Sequence, residues 1–514
     1  MPGRCGPMAA LALAVLLSGC GAVPALPDLV QLYRTATDIP EPQRRPVIAV
    51  PGFLGSRLVH QPTGMLAWGA DGLSLDPDDP ESARILSLPI SADDEPLEAL
   101  IDDVRPDGIF NGGDASPFFV PIEIDVYRGL LETLVTGGYD YRLSREEELA
   151  REFNAGSFEF PYDWRRDVVE AARVLDDFIE RKKQQVRAVR TERYGAAPKD
   201  VRFDIVAHSM GTLVVRYYLM YGGQDLPADG SLPELTWEGA ENVDYVVLVA
   251  PPLRGSVTAF ENLVNGRSFS AITPDYPAAL LGSFPAMYQL MPRASEGRVV
   301  ESSGRIVEEL YDPDYWEARG WGLAAPEAIE TLRVLMPEAA SDEERRERAR
   351  RHLGKLLARA EQFHRAIDRP AKPPPDLDLF LVVGGGFETP AGATVGEDGA
   401  VEIDRFAEGD GVVLRSSAIP KRFDPGHDAA EVYRSVLLLP EEHVDIVASP
   451  VFGDNLLYWL LQWRAPPEVE TLQPTVAEVR SGPGAGPGYG EGSRPGPWRD
   501  AAKNRRASVV VPLK

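Results

Sequence analysis

The chain has 514 residues, 44% hydrophobic and 26% charged, a globular composition that excludes both a wholly disordered chain and a multi-span membrane protein. Its formal net charge of -26 disfavours nucleic acid as a partner, because phosphates would be repelled rather than neutralised. The same charge weakens adhesion to anionic lipid, so membrane contact has to come from an anchor or from apolar surface.

The N-terminus supplies such an anchor. Arg4, an apolar run from Met8 to Leu17 and then Leu17-Ser18-Gly19-Cys20 follow the charged, apolar, small-residue order of a bacterial lipoprotein signal. The apolar run is too short to span a bilayer. This reading predicts a signal peptide over 1–19, lipidation of Cys20 and a lipid-anchored place in the bacterial cell envelope. Gly21 stands where some bacteria use Asp for inner-membrane retention, which favours the outer membrane. An ordinary secretory peptide is the alternative. Cys5 and Cys20 are the two cysteines, so a lipidated mature monomer has no disulfide available.

Residues 20–45 read as a Pro-rich polar tether. "PVIAVPG" (46–52) is an apolar run ending in a turn, a buried-strand pattern. Residues 71–107 are acidic and poorly periodic and predict an excursion over the surface. "FEFPYDW" (158–164) predicts a strand and turn. Asp167 caps a helix whose apolar face is Val168, Ala171, Ala172, Leu175, Phe178, Ile179 and Val186. "VRFDIVAHS", a helix from about Met210, and "VDYVVLVAPP" (243–252) continue an alternation of strands and helices. That alternation implies an α/β fold, a mostly parallel sheet covered by helices on both faces.

Between 256 and 375 the order weakens, which predicts a cap insertion. The highly charged helix at 341–367 within it is expected to be solvated over most of its surface. "LDLFLVVGGG" (377–386) and "YRSVLLLP" (433–440) resume the strand pattern, and "DNLLYWLLQWR" (454–464) predicts an amphipathic or buried helix. The core is thus divided into 46–255 and 376–465. Residues 466–514 form a Gly/Pro-rich tail.

Ser209 ends one apolar run and starts another in "FDIVAHSMGTLVVR" (203–216). A serine nucleophile raised on a sharp strand-to-helix turn tolerates only small residues two before and two after it, here Ala207 and Gly211. The alanine departs from the usual glycine but meets the steric demand. Six histidines could supply the base. His60 precedes the serine, His208 points away from it in such a turn, and His352 and His364 lie on the charged helix, where a surface role is expected. Of the two that remain, His443, directly behind the last strand run, is preferred over His427.

The acid is expected between Leu377 and the histidine, from Asp398, Asp404, Asp410, Asp424 and Asp428, with Glu388, Glu397, Glu402 and Glu408 less suited. Asp410 is preferred because flanking glycines let its loop turn sharply. The oxyanion donors are the N–H of Met210 and, from the loop "PGFLGS", that of Phe53. No metal-ligand cluster is apparent, and the chemistry needs no cofactor.

Four separated motifs, "VPGFLGSRL" (50–58), "FPYDWRRD" (160–167), "AHSMG" (207–211) and "GDGVV" (409–413), with the His443 segment behind them, resemble the lecithin:cholesterol acyltransferase-like α/β-hydrolases. That family includes lysosomal phospholipase A2 and the phospholipid:diacylglycerol acyltransferases. "APPLRGS" (250–256) and "SFPAMYQLMP" (283–292) are similar too, so the resemblance spans most of 46–463.

The resemblance implies an α/β-hydrolase fold with cap and lid insertions, the lid segment at about 69–115. It also implies an acyl-enzyme reaction on phospholipid or related lipid esters, with Ser209, Asp410 and His443 as triad and water or a lipid alcohol as acceptor. Leu66 and Trp68, with Tyr162, Asp163 and Trp164 of the "PYDWR" element, are the candidate substrate contacts; Trp68 is as well suited to the core. Departures are a lid without cysteine and with strong acidity. A carboxylesterase acting on other esters and a catalytically idle lipid-binding lipoprotein remain the alternatives.

Overall fold

In a computed structural model the described residues are 44–69, 75–90, 95–110, 127–139, 155–195, 200–268, 275–296, 298–419 and 432–463. The expected lipidation site Cys20, the expected signal and tether up to residue 43, and the tail beyond 463 lie outside them.

The strands in chain order are β1 (Val47–Val50), β2 (Ser56–His60), β3 (Met65–Trp68), β4 (Val104–Ile109), β5 (Ser157–Glu159), β6 (Phe203–His208), β7 (Val243–Val249), β8 (Arg267–Ser268), β9 (Asp275–Tyr276), β10 (Val299–Glu301), β11 (Asp378–Gly384), β12 (Phe387–Val395), β13 (Val401–Gly409) and β14 (Ser435–Leu439). Six of them form a sheet in the order β14-β11-β7-β6-β1-β5, with every neighbouring pair parallel. The continuous apolar runs of the sequence are the reason: a strand covered on both faces needs no polar alternation, and parallel strands need long crossovers that place helices on both sides.

The two faces of β6 show the layering. Phe203, Ile205 and Ala207 join the core beneath the helices Val168–Tyr194 and Gly211–Tyr221. Val206, one pleat over, joins Val47, Ala49, Val247 and Phe380 against the helices Arg128–Thr136 and Pro450–Leu461. Each fully buried Val, Leu or Phe contributes roughly 1.5–3 kcal/mol of transfer free energy, so these faces hold the layers together. The Asp167 carboxylate accepts from Val169 N–H at 2.6 Å, as an N-cap, and Gly195 closes the same helix at φ 75°. This is the α/β-hydrolase arrangement.

Strand order also locates a crevice. From β1 the sheet grows outward to β5, then the chain returns past β1 to β6 and grows the other way. Loops leaving the carboxyl ends of β1 and β6 therefore diverge, which is where open α/β sheets bind ligands.

Two expectations need correction. Residues 71–107 are more than a surface excursion: Ala83 and Leu86, on the helix Pro80–Leu86, are buried with Leu88 and Ile90, and β4 pairs antiparallel with β2 in a three-stranded sheet β3-β2-β4. The helix Asp342–Ile367 is also far from solvated. Ala349, Leu353, Leu356, Ala360, Phe363 and Ile367 recur at three- and four-residue steps and are buried, so the charges occupy only the opposite face. The long ribbon β12–β13, which β10 extends by pairing with β12, has no counterpart in the predicted strands.

Candidate active site

Ser209 follows β6 directly and adopts φ 51°, in the left-handed region that a non-glycine residue enters only under constraint. The constraint is local. Ser209 N–H donates to the carbonyl of Val249 at 2.9 Å, while its own carbonyl accepts from the Thr212 hydroxyl at 2.6 Å and Thr212 N–H at 2.9 Å. The +2 position tolerates no side chain, because a Cβ on Gly211 would sit 2.3 Å from the Pro51 carbonyl oxygen. Ala207 is fully buried and its methyl fits. Sharp geometry thus turns the Ser209 hydroxyl out of the sheet edge toward the crevice.

Three polar side chains from distant parts of the chain meet there. His443 Nε2 lies 2.8 Å from Ser209 Oγ, and His443 Nδ1 lies 2.8 Å from Asp410 Oδ2. All three are buried. Asp410 follows β13 in a tight loop, and its other oxygen accepts from Val412 N–H at 3.0 Å and Val413 N–H at 2.6 Å. Burial works against its charge, but the His443 imidazole and those two N–H groups outweigh it and hold the carboxyl below the usual range. His443 N–H donates to the Asp410 carbonyl at 2.9 Å, so main chain as well as side chain joins the two loops.

A carboxylate accepting from Nδ1–H leaves the Nε2 lone pair facing a hydroxyl, the arrangement that lets imidazole remove a proton. Asp398 and Asp404, the other described acid candidates of that type, sit on the exposed ribbon, where Asp398 accepts from Ala400 N–H and Asp404 from the Thr394 hydroxyl. The four glutamates lie on the ribbon or its turn as well. Asp424, His427 and Asp428 lie outside the described residues.

The loop after β1 forms the facing wall. Gly52 is required by close approach: a Cβ there would lie 2.7 Å from Ser209 Cβ. The loop is clamped at several points. Gly52 N–H donates to the Tyr127 hydroxyl oxygen at 2.7 Å, the Tyr162 hydroxyl to the Pro51 carbonyl at 2.9 Å, Trp68 Nε1–H to the Leu54 carbonyl at 2.9 Å and Trp164 Nε1–H to the Ser56 carbonyl at 3.1 Å. The Phe53 ring meets Trp164 edge-on at 4.9 Å. Gly52, the residue before Phe53, thus lies against Ser209, and Met210 follows Ser209 in the chain; neither the Phe53 nor the Met210 N–H has an acceptor among the described residues.

Of the candidate substrate contacts, Tyr162 and Trp164 are therefore buried braces behind the loop, and Trp68 is half-buried against Trp164 with its ring centroid 5.6 Å away. Leu66 is half-buried on β3. Asp163 is engaged by Arg165, the residue that explains the "PYDWR" element. Fully buried, Arg165 places Nη2 2.6 Å from Asp102 and 2.7 Å from Asp163, while Nη1 donates to the carbonyls of Ile85, Leu86 and Ser87. It fastens residues 85–87 and Asp102 to the top of the sheet.

The surface role expected for His352 and His364 is overturned: they are 1% and 4% exposed. His364 Nδ1 meets the Tyr311 hydroxyl and Nε2 the Gln289 carbonyl, and burial pulls its pKa down to about 3. His352 has no partner for either nitrogen among the described residues, and burial lowers it to about 4. His208, expected to point away from Ser209, does so, toward Tyr127. Tyr127 itself lies in a stretch with no motif, and nothing local in the sequence singles it out. Among the described residues no cluster of metal-ligating side chains occurs, and no helix is long and apolar enough to cross a membrane.

Residues 151–309 match the family model of lecithin:cholesterol acyltransferase, so this part of the chain is lecithin:cholesterol acyltransferase-like. The match contains "FPYDWRRD", "AHSMG", "APPLRGS" and "SFPAMYQLMP" and ends before Asp410 and His443. No curated protein matches. Among solved structures, the crystal structure of the Tle4–Tli4 complex aligns with a TM-score of 0.46 and 14% identity, over 82% of this chain and 99% of that chain.

Proposed function

We propose that this chain, with its lecithin:cholesterol acyltransferase-like segment, is a serine-dependent lipid acyl hydrolase or O-acyltransferase acting through an acyl-enzyme. The observation that carries the reading is Ser209 held at φ 51° with Oγ 2.8 Å from His443 Nε2, whose Nδ1 is 2.8 Å from Asp410. Ser209 Oγ attacks the ester carbonyl as its proton passes to His443 Nε2. The carbonyl oxygen, now negative, accepts from the N–H groups of Phe53 and Met210. Collapse breaks the C–O bond of the alcohol, which leaves with the proton from His443. Water or a lipid alcohol then repeats the sequence in reverse and frees Ser209. Asp410 keeps Nδ1 protonated and balances the imidazolium.

A fluorophosphonate probe and a labelled phospholipid test this, with and without a sterol or diacylglycerol. The expected results are probe labelling lost in Ser209→Ala, and free fatty acid, new ester or both from the phospholipid. Labelling that survives Ser209→Ala removes the serine mechanism, and labelling without phospholipid turnover moves the substrate to other esters. New ester in the presence of an acceptor marks a transferase. We further propose that Cys20 carries the lipid anchor at the cell envelope. Metabolic labelling with a fatty acid should then be lost in Cys20→Ser.

A further inference from the structure

His208 stands beside the proposed nucleophile and takes no part in the scheme above. Being one residue before Ser209 on β6, it lies in register with Val206 and so projects to the opposite face of the sheet from Ala207, under the helix Arg128–Thr136. There it makes two bonds. Its Nδ1 lies 2.9 Å from the Tyr127 hydroxyl, and its Nε2 lies 2.9 Å from the carbonyl oxygen of His443. The same Tyr127 hydroxyl lies 2.7 Å from the N–H of Gly52.

We propose that Tyr127 and His208 form a positioning relay that fixes the oxyanion loop relative to the His443 loop, and so governs the transition-state step rather than substrate binding. The proposal rests on the reading of Ser209, His443 and Asp410 given above.

The direction of each bond follows from chemistry. Gly52 N–H can only donate, so the tyrosine oxygen is its acceptor. The His443 carbonyl can only accept, so His208 Nε2 carries a proton, and in a neutral imidazole Nδ1 is then the acceptor of the tyrosine O–H. Every group has one compatible role and the chain has no alternative polarity. Burial holds the imidazole neutral, with a pKa pulled down to about 3 and the neighbouring His443 adding to the effect. A protonated His208 would present a donor to Tyr127 and strand the tyrosine hydrogen.

The chain spans the two loops whose separation sets the reaction geometry. At one end is Gly52, which precedes the oxyanion donor Phe53 and lies so close to Ser209 that a Cβ would stand 2.7 Å from Ser209 Cβ. At the other is the main chain of His443, whose side chain touches Ser209 Oγ. The tyrosine is itself confined: it is 2% exposed, meets His208 edge-on at 5.7 Å, and a Cβ on Gly55 would lie 2.9 Å from its hydroxyl. The His208 and His443 rings are 5.0 Å apart. Loops held at both ends by charge-free, fully paired bonds keep their spacing as the oxyanion forms, which is what preorganisation requires. His208 is no alternative base, since both its nitrogens are spent in the chain.

The test compares Tyr127→Phe, His208→Asn and the double variant on a p-nitrophenyl ester. Rates are counted per fluorophosphonate-labelled Ser209, and thermal midpoints are recorded alongside. Each single variant is expected to lower kcat roughly tenfold, with KM within about twofold, since small misplacements of reacting groups cost rate rather than affinity. The double variant should be no slower than the slower single, because a chain broken once is broken. Losses that multiply in the double, that fall on KM, or that vanish once counted per labelled site would overturn the relay and leave an ordinary core contact. Should His208→Asn not fold, Tyr127→Phe decides through a trifluoromethyl ketone: affinity falling in step with kcat supports the relay, and unchanged affinity overturns it. A wild-type chain that labels elsewhere than Ser209 takes down the underlying reading first, which separates the two failures.

Discussion

Two carboxylates at opposite ends of one sheet are buried to the same degree and ionise in opposite directions. Asp410, at the carboxyl edge, is 2% exposed, and Asp204, at the start of β6 on the amino edge, is 1% exposed. Burial raises both, yet Asp410 is held below the usual carboxylate range by His443 and two backbone N–H groups. Among the described residues no donor meets either Asp204 oxygen in full hydrogen-bond geometry, so burial, aided by the neighbouring Asp244 and only partly countered by Arg45, the Tyr245 N–H and Arg202, pushes it up to about 8. Donors aimed at the charged form, rather than depth, decide which buried acid keeps its charge. Among the described residues the Asp410 end carries well-aimed donors and the Asp204 end does not.

The sharpest way to break this contrast is at Asp410. Asp410→Asn removes the charge while keeping shape, so kcat is expected to fall by roughly 10⁴-fold with the protein still folded, measured as ester turnover per mole of chain. A fall below tenfold would mean that the carboxylate does not hold the tautomer of His443.

Arg165 extends the rule to a buried cation. Arg165→Met leaves Asp102 and Asp163 without their shared partner and frees three carbonyls, so stability should drop by about 3–5 kcal/mol in urea unfolding. An unchanged midpoint would show that solvent reaches those carboxylates.

The smallest effect belongs to Asp204, where removing the acid should help. A folded value raised to about 8 means that the folded chain binds a proton that the unfolded chain releases above the ordinary carboxylate value near 4. Stability therefore falls as pH rises from about 4 to about 8 and levels off beyond. Asp204→Asn should erase that slope, matching the wild type near pH 4 and standing above it at pH 8. Parallel profiles for the two proteins would place a charged, partnered Asp204 at the amino edge.

The sheet and the meeting of Ser209, Asp410 and His443 were legible because each carries a signal within a few residues. "PVIAVPG", "FDIVAHS", "VDYVVLVAPP" and "LDLFLVVGGG" are apolar runs without alternation, and a run of that kind is a strand covered on both faces. Ser209 was marked by its small flanks, Asp410 by its glycines and His443 by chain order. What escaped depends on partners far away in sequence. The charges of the helix Asp342–Ile367 masked a regular apolar face whose burial needs the rest of the cap. His364 looks like a surface residue until Tyr311 and Gln289 surround it. Tyr127 acquires meaning only from Gly52 and His208, each more than seventy positions away. β4 holds Pro106 and Gly108, which hide its strand character, and pairs with β2 across a long interval.

Arg165 grips the segment above the sheet through the carbonyls of Ile85, Leu86 and Ser87, and a carbonyl is the same whatever side chain its residue bears. The joint is therefore indifferent to what it joins. The exposed positions within 80–90 can exchange one set of side chains for another, by drift or by an engineer's library, and remain tethered at the same point, provided Ala83, Leu86, Leu88 and Ile90 stay packed and a helical turn still ends there. A scaffold with such a universal socket can be refitted at its rim without being rebuilt at its base.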